Sequence, residues 1–112
     1  MADYLFVFRG GMPKLSPEQM QQHMEKWMSW IGRLSKAGIF KAGEPLEEAG
    51  KVIRGKKMTV TDGPYAESKD VVGGYLIVQA DSLAKATGIA KECPIFETDG
   101  SVEVREIRPL QM

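Results

Sequence analysis

Two short runs of the chain carry apolar side chains on both faces of the strand that each predicts. Residues 3–9 (DYLFVFR) and 74–80 (GYLIVQA) are rich in aromatic and β-branched residues, and each adjoins a glycine pair. A strand with one face in water alternates apolar with polar residues, so these two strands are expected to be covered on both faces. We therefore predict that they lie at the centre of a sheet.

A long amphipathic helix is predicted between these two strands. Ser16, followed by Pro17 and Gln19, is the signature of a capping box with proline at the first helical position, and Ala37-Gly38 marks the end. Apolar residues recur between these limits at the spacing of one helix face. The predicted core stripe consists of Met20, Met24, Trp27, Ile31 and Leu34.

Three short strand-like segments follow this helix, at residues 39–42, 51–54 and 57–61. Gly55-Lys56 lies between the last two segments, and a two-residue link that contains glycine predicts a tight hairpin. Gly73-Gly74, ahead of the second central strand, is expected to mark a β-bulge or a close approach of two backbones rather than a phosphate site.

A second helix and a last strand complete the chain. Ser82 or Asp81 is expected to cap the helix, whose narrow apolar face consists of small residues, and Pro94 is expected to end it. Residues 101–108 (SVEVREIR) alternate valine with charged side chains, which predicts a strand. Glu103 and Arg105 then share one face of the sheet.

The order of elements, β-α-β(β)-β-α-β, predicts an α+β fold with a ferredoxin-like split β-α-β arrangement. Residues 1–112 are expected to form a single domain with an antiparallel sheet and two helices on one face. The two helices leave the other face of the sheet without cover. A second copy packing sheet to sheet is the simplest cover, so we predict a homodimer, a dimeric α/β barrel.

Composition narrows the class of protein. Fifteen basic residues balance fifteen acidic ones, which speaks against a nucleic acid or an anionic membrane as partner. The apolar run at residues 4–8 is too short to span a bilayer. Cys93, the one cysteine, cannot form an internal disulfide, and a lone thiol favours the cytoplasm. With one histidine and one cysteine, neither a metal nor a cofactor is expected.

Residues 61–75 (TDGPYAESKDVVGGY) are the stretch densest in ionisable and backbone-special residues. An aspartate such as Asp62 normally bonds the backbone N–H two residues on, but that residue is Pro64, which has none. Its carboxylate therefore needs a later loop amide, a cation such as Arg54 or Arg105, or a ligand. Asp62 either pins the loop or serves as an acid–base group or polar anchor of a site.

Several other side chains are candidates for a site, and each has a structural alternative. The candidate ligand-binding residues are Tyr65, Glu67, Lys69, Glu103 and Arg105. Glu67 and Lys69, together with Asp70, are either part of a site or a solvated, mutually paired rim. His23 is a second catalytic candidate or a surface histidine, and Cys93 is either a small core residue or a nucleophile.

The same residues carry a family resemblance. Residues 61–69, followed by 73–75, resemble the signature of the DGPF branch of the YCII-related family, with Tyr65 where the motif has Phe. Cys93-Pro94 and residues 102–105 resemble the family's second helix end and last strand. The resemblance covers nearly the whole chain, and it implies the ferredoxin-like dimeric α/β barrel.

The resemblance also shows where this chain departs from its relatives. Members of the wider family are suspected enzymes with a histidine–aspartate pair in a cleft between helix and sheet. Counted back from Gly38, that histidine falls at Trp27, and the aspartate falls at Cys93. Both members of the pair are missing, so the family's acid–base mechanism is not transferred. His23 lies one helical turn before Trp27.

Two hypotheses of function remain open. The first is a small-molecule-binding protein, enzymatic or not, with a pocket between the first helix and the sheet walled by residues 61–75. The second is a non-catalytic accessory protein that acts through protein contacts, as the resemblance to members encoded beside extracytoplasmic-function sigma factors implies. An enclosed pocket holding Asp62 would favour the first. A solid interior with an apolar patch outside the dimer interface would favour the second.

Overall fold

The computed structural model describes residues 1–11, 15–63 and 70–110. Its elements, in chain order, are β1 (Ala2–Arg9), α1 (Pro17–Lys36), β2 (Phe40–Pro45), β3 (Gly50–Arg54), β4 (Thr59–Gly63), β5 (Val72–Ala80), α2 (Leu83–Ala90), a 3₁₀ helix (Pro94–Thr98) and β6 (Ser101–Glu106).

The main sheet is antiparallel and has four strands in the order β2-β5-β1-β6. The prediction that the two strands apolar on both faces lie at the centre is confirmed. Phe6 lies opposite Leu76 on one side and Val104 on the other, which sets the register of the three strands. With both helices against one face, the predicted α+β ferredoxin-like fold is confirmed.

The core lies between this face and the helices. Side chains that point toward the helices from β1 and β5 are buried, and those between them on the same strands are half-buried. Trp30 and Phe6 are fully buried. No polar or charged residue of the described ranges belongs to the buried set. The interior is therefore apolar, and among the described residues the buried Nε1 of Trp30 lacks a hydrogen-bond partner.

The capping box predicted for α1 is confirmed. The Gln19 backbone N–H donates to Ser16 Oγ at 3.1 Å, and the Ser16 N–H donates to Gln19 Oε1 at 3.0 Å. The helix ends at Ala37, and Gly38 adopts the left-handed conformation with φ +73° that glycine accommodates without strain.

The predicted core stripe of α1 is only partly right. Leu34 is buried and Trp27 is half-buried, but Met20 and Met24 are 36% and 50% exposed, whereas Trp30 is the fully buried residue. At about 100° per residue, Met24 lies about 60° around the helix from Trp27. The large ring of Trp30 takes the centre of the contact with the sheet, which turns Met24 toward solvent.

The hairpin turn differs from the prediction. It contains four residues, Gly55 to Met58, rather than two, with Gly55 and Met58 at φ +73° and +54°. Ile53 lies opposite Val60 in this register. A two-residue turn would move Ile53 opposite Met58, so the pairing of two β-branched side chains favours the longer turn. The hairpin forms a two-stranded sheet of its own, separate from the main sheet.

Glycine residues bring β2 and β5 together as expected. The β1–β5 register shifts where Phe8 lies opposite Gly74 and Arg9 opposite Val72, so Gly73 is the extra residue of a bulge. A Cβ atom at Gly74 would lie 3.0 Å from the carbonyl oxygen of Glu44. Both alternatives predicted for the glycine pair, a bulge and a close approach, are present.

The predicted cap of α2 is confirmed at Ser82, whose Oγ accepts the Lys85 N–H at 3.1 Å. Pro94 lies beyond the end of α2 and occupies the start of the 3₁₀ helix, where its lack of an N–H is tolerated. The last strand ends at Glu106, two residues earlier than predicted.

Candidate functional site

The ends of several strands lie together at one end of the main sheet. Here β1 ends while β5 and β6 begin, because Arg9 lies opposite both Val72 and Ser101. The Gly10 N–H donates to the Val71 carbonyl at 3.1 Å, which ties the end of β1 to the start of β5. The middle of α1 contacts this end, since the ring of Trp27 packs against that of Phe8.

His23 is positioned here by a hydrogen bond within α1. Trp27 Nε1–H donates to His23 Nε2 at 2.9 Å, across one helical turn. An indole N–H can only donate, so Nε2 is the acceptor and the proton of this neutral imidazole is on Nδ1. His23 is half-buried, and its Nδ1–H is the remaining hydrogen-bond donor of the ring.

A cluster of rings holds this histidine. Trp27 meets Phe8 edge to face at 5.1 Å between ring centroids and Trp30 at 5.9 Å, while Phe8 and Trp30 are 6.4 Å apart. Edge-to-face contacts at these distances are favourable and directional. Because Trp30 is fully buried, the cluster anchors the Trp27 ring, and Trp27 in turn orients the imidazole.

Glu103 and Arg105 lie on the opposite face of the sheet from His23. Glu103 Oε1 pairs with Arg9 Nη1 at 2.5 Å, and its Oε2 is 3.9 Å from Arg105 Nε. The strand register places both residues beside Leu5 and Val7, on the face that no helix covers. The shared face predicted for this pair is therefore present, at the rim of an apolar surface.

Asp62 lies on β4, in the separate hairpin. Its carboxylate forms an ion pair with Lys51 of β3, directly opposite in the register, and its side chain is 82% exposed. Lys51 is a different cation from Arg54 and Arg105, the two suggested by the sequence. The pairing depends on the β3–β4 register, which sequence spacing alone does not show.

Tyr65, Glu67 and Lys69 lie outside the described residues, which resume at Asp70. The described candidates fall into three groups rather than one. His23 is on the helix side of the sheet, Glu103 and Arg105 are on its open side, and Asp62 is on the hairpin. Within a single described chain these groups do not form a common pocket.

Cys93 lies in the core, beyond the C-terminal end of α2. Burial raises the pKa of its thiol to about 12, against a small opposing effect of a backbone hydrogen bond with Ile95. The thiol is therefore protonated at neutral pH, and since a nucleophilic cysteine acts as thiolate, the core role fits this residue. Burial likewise raises the pKa of Tyr4. The nearby Glu106 carboxylate, whose Oε1 accepts a hydrogen bond from the Tyr4 hydroxyl at 3.2 Å, raises it further.

Two open grooves mark the surface of the described residues. The larger, of about 700 Å³, runs between the outer side of α1 and residues 91–97, and the Lys26–Glu97 ion pair lies within it. The second, of about 460 Å³, lies at the base of the hairpin between residues 46–50 and 70–72. In the described ranges, no three His, Cys, Asp or Glu side chains cluster as a metal site would require.

Comparison with known protein families shows the family of this chain. The model of the YCII-related domain matches residues 4–111. The chain belongs to the YCII-related family. No curated protein matches it in sequence. None of the helices in the described part of this YCII-related chain has the length and apolar character needed to cross a membrane.

A solved structure shares the fold. It is 5-chloro-2-hydroxyhydroquinone dehydrochlorinase from Burkholderia phenoliruptrix, in complex with 2,5-dihydroxybenzoquinone. The two chains are 15% identical, with a TM-score of 0.50, and the match covers 95% of this chain and 93% of the other. At this identity the similarity shows a shared fold.

The hydrogen bond between His23 and Trp27 is not among the sequence-based predictions. Their spacing of four residues on one helix is a readable signal, because such residues are neighbours on the helix surface. The Arg9–Glu103 pair was also missed. It follows from the register of β1 with β6, which the sequence does not state.

Proposed function

We propose that this protein is a homodimer of the α/β-barrel type that binds a small molecule at the end of the main sheet where α1 begins. The observation that carries the proposal is the hydrogen bond from Trp27 to His23, held by a cluster of aromatic rings. It orients the only histidine of the chain and leaves its Nδ1–H available as a donor.

The ligand class follows from this donor and its surroundings. A neutral imidazole N–H next to aromatic rings suits a small molecule with an oxygen acceptor on an aromatic or quinoid ring. The neighbour of the same fold, bound to 2,5-dihydroxybenzoquinone, supports this class. We therefore propose phenols, hydroxyquinones and aromatic carboxylates as the ligands to test.

The remaining candidates have a place in the same proposal. Tyr65, Glu67 and Lys69 stay candidate ligand-binding residues, and Asp62 stays the candidate polar anchor or acid–base group. Asp62 lies on β4, two residues before residues 64–69 along the chain, and Asp70 directly follows them. Glu103 and Arg105 lie on the open face, where a second subunit would enclose them and raise the strength of their interactions.

The homodimer is supported by the character of the open face. Leu5, Val7, Tyr75 and Ile77 point to this face from the two central strands and are half-buried in the single chain. A central apolar area with the Arg9–Glu103 pair at its rim resembles the anatomy of subunit interfaces. We place the dimer in the cytoplasm because Cys93 is a buried free thiol.

A thermal-shift and tryptophan-fluorescence screen tests the ligand proposal. We expect a phenolic or quinoid compound to raise the melting temperature and to quench the fluorescence of Trp27. His23→Leu should weaken binding roughly tenfold, the effect of one lost hydrogen bond. Gln21→Leu, on the exposed side of the same helix, is the matched control. Equal affinity of the His23→Leu variant and the control for every hit would contradict the proposed site.

One observation favours the alternative hypothesis, that the protein is a non-catalytic accessory protein acting through protein contacts. Met20, Met24 and Met28 recur every four residues along one side of α1 and are all exposed. Methionine-rich surfaces adapt to varied partners. An exposed apolar stripe on the helix side of the sheet, away from the open face, is the arrangement that an accessory protein would have.

The methionine stripe can be tested against a purified partner. We expect a Met24→Gln, Met28→Gln variant to lose binding to an extracytoplasmic-function sigma factor in analytical ultracentrifugation, with no change in melting temperature. Gln22→Leu, at an exposed position about 160° around the helix from Met24, serves as the control. If the unaltered protein does not bind the sigma factor, this second function is set aside and the small-molecule proposal is unaffected.

A further inference from the structure

We propose that the β3–β4 hairpin, residues 50–63, is an arm that docks into a groove of a second copy of this chain. The inference rests on the homodimer proposed above and assigns it a second contact, distinct from the sheet face. The arm and the groove are both visible in the single chain, and their chemistry is complementary.

The arm exposes apolar side chains to solvent, which is unfavourable for a hairpin that contacts nothing else. Ile53 and Val60 lie opposite each other on one face and are 64% and 57% exposed, and Met58 in the turn is also exposed. A two-stranded hairpin is marginally stable by itself in water. The described arm forms its own sheet and does not pair with the main sheet, so it needs cover from elsewhere.

The groove lies at the base of the arm. Its apolar lining consists of Leu46, Ala49, Val71 and Val72, and its acidic lining consists of Glu47, Glu48 and Asp70. This combination suits a segment that brings both apolar and basic side chains. The tip of the arm, residues 54–58 (RGKKM), has this composition.

The charges of tip and groove are opposite. Arg54, Lys56 and Lys57 carry the basic charge of the tip, whereas the nearby Lys51 is already paired with Asp62. Opposite charges facing each other across an interface set its register and its choice of partner. In a twofold dimer the contact occurs twice, since each tip meets the groove of the other subunit.

The tip cannot reach the groove of its own chain. Gly50 lines the groove and is also the first residue of the arm, while the turn begins at Gly55. Strands rise about 3.3 Å per residue, which places the tip roughly 16 Å from the groove. A straight hairpin cannot fold back over this distance, so the occupant comes from another molecule.

The area of the open face also bears on whether the dimer has a second contact. The four strands have six to nine residues each, and with about 4.8 Å between strands and about 3.3 Å per residue they cover roughly 450 Å² in projection. Stable specific interfaces bury about 800 Å² on each partner. A docked arm from each subunit adds contact area to the sheet-to-sheet packing.

A charge-reversal experiment tests the arm. The tip-reversed variant is Lys56→Glu, Lys57→Glu and the groove-reversed variant is Glu47→Lys, Glu48→Lys. Each is expected to weaken the homodimer at least tenfold in sedimentation equilibrium, because like charges then meet at both contacts. Mixing the two variants should restore affinity, since in the heterodimer every tip faces a groove of opposite charge. Lys36→Glu, Arg108→Glu controls for the change in net charge.

The outcomes separate this inference from the proposed homodimer. If both variants dimerise as tightly as the unaltered chain and show no preference for each other, the arm contact is overturned while the homodimer stands. If the unaltered chain is a monomer at micromolar concentration, both proposals fail. If the variants lose thermal stability as monomers with unchanged dimer affinity, the groove is covered by the variant chain's own residues and the arm proposal is overturned.

Discussion

The two faces of the main sheet contain similar residues and have different surroundings. On β1, Tyr4, Phe6 and Phe8 point to the helices and are buried, whereas Leu5 and Val7 between them point to the open face and are half-buried. Both sets are strongly apolar. The comparison shows that composition marks which strands are central, while the helices decide which of their faces is covered within one chain.

The largest effect is expected from the covered face. Phe6→Ala should lower the free energy of unfolding by about 3–5 kcal/mol, because it removes a fully buried ring from a packed core. Urea denaturation at several protein concentrations is the measurement. Leu5→Ala, one residue along the same strand, is the control, and we expect a smaller loss that grows with protein concentration. Equal, concentration-independent losses for the two variants would remove the distinction between the faces.

A charge on the open face is expected to act on assembly rather than on folding. Val7→Asp should weaken the proposed homodimer at least a hundredfold, since an unpaired carboxylate would be buried against the partner. The melting temperature should lose its dependence on protein concentration, while circular dichroism stays that of the native fold. A variant that remains dimeric by light scattering would show that the open face is not the interface.

The covered face also predicts a dependence on pH. Burial raises the pKa of Cys93 to about 12 from an unfolded value near 9, so the neutral thiol is favoured in the folded state. Its contribution to stability is complete below pH 9 and is lost as the pH rises toward 12. Chemical denaturation at rising pH should show this loss, and Cys93→Ala should reduce it.

Tyr4 contributes to the same alkaline loss, because burial and Glu106 raise its pKa too. Tyr4→Phe is therefore the second variant to measure, and it should also reduce the loss of stability at high pH. Labelling gives an independent check, since Cys93 should react with a thiol reagent at pH 8 only at the rate of unfolding. Immediate reaction of the folded protein would contradict the buried, protonated thiol.

The smallest effect is expected from the rim of the open face. The Arg9–Glu103 pair is partly exposed, with about a third or more of each side chain in solvent, so its net contribution is discounted. Arg9→Gln should change monomer stability by less than about 1 kcal/mol. Comparison of the dimer at low and high salt sharpens the test, because a pair enclosed by a second subunit responds less to salt.

Some contacts of the candidate site residues can be predicted from the sequence, and others cannot. His23 and Trp27 are four residues apart on a predicted helix, so their contact is readable from spacing. The ion pair of Asp62 with Lys51 requires the register of β3 with β4. That register depends on a turn of four residues, and the pairing of Ile53 with Val60 favours it over the shorter turn.

The sequence by itself determined the order of elements, the helix caps and the two central strands. Capping bonds join residues three apart, as in Ser16 with Gln19, and strand periodicity is a property of neighbouring residues. Only the tertiary structure decided that Trp30 rather than Met24 enters the core, and that Arg9 meets Glu103. These outcomes depend on volume and register between distant segments, which no local pattern encodes.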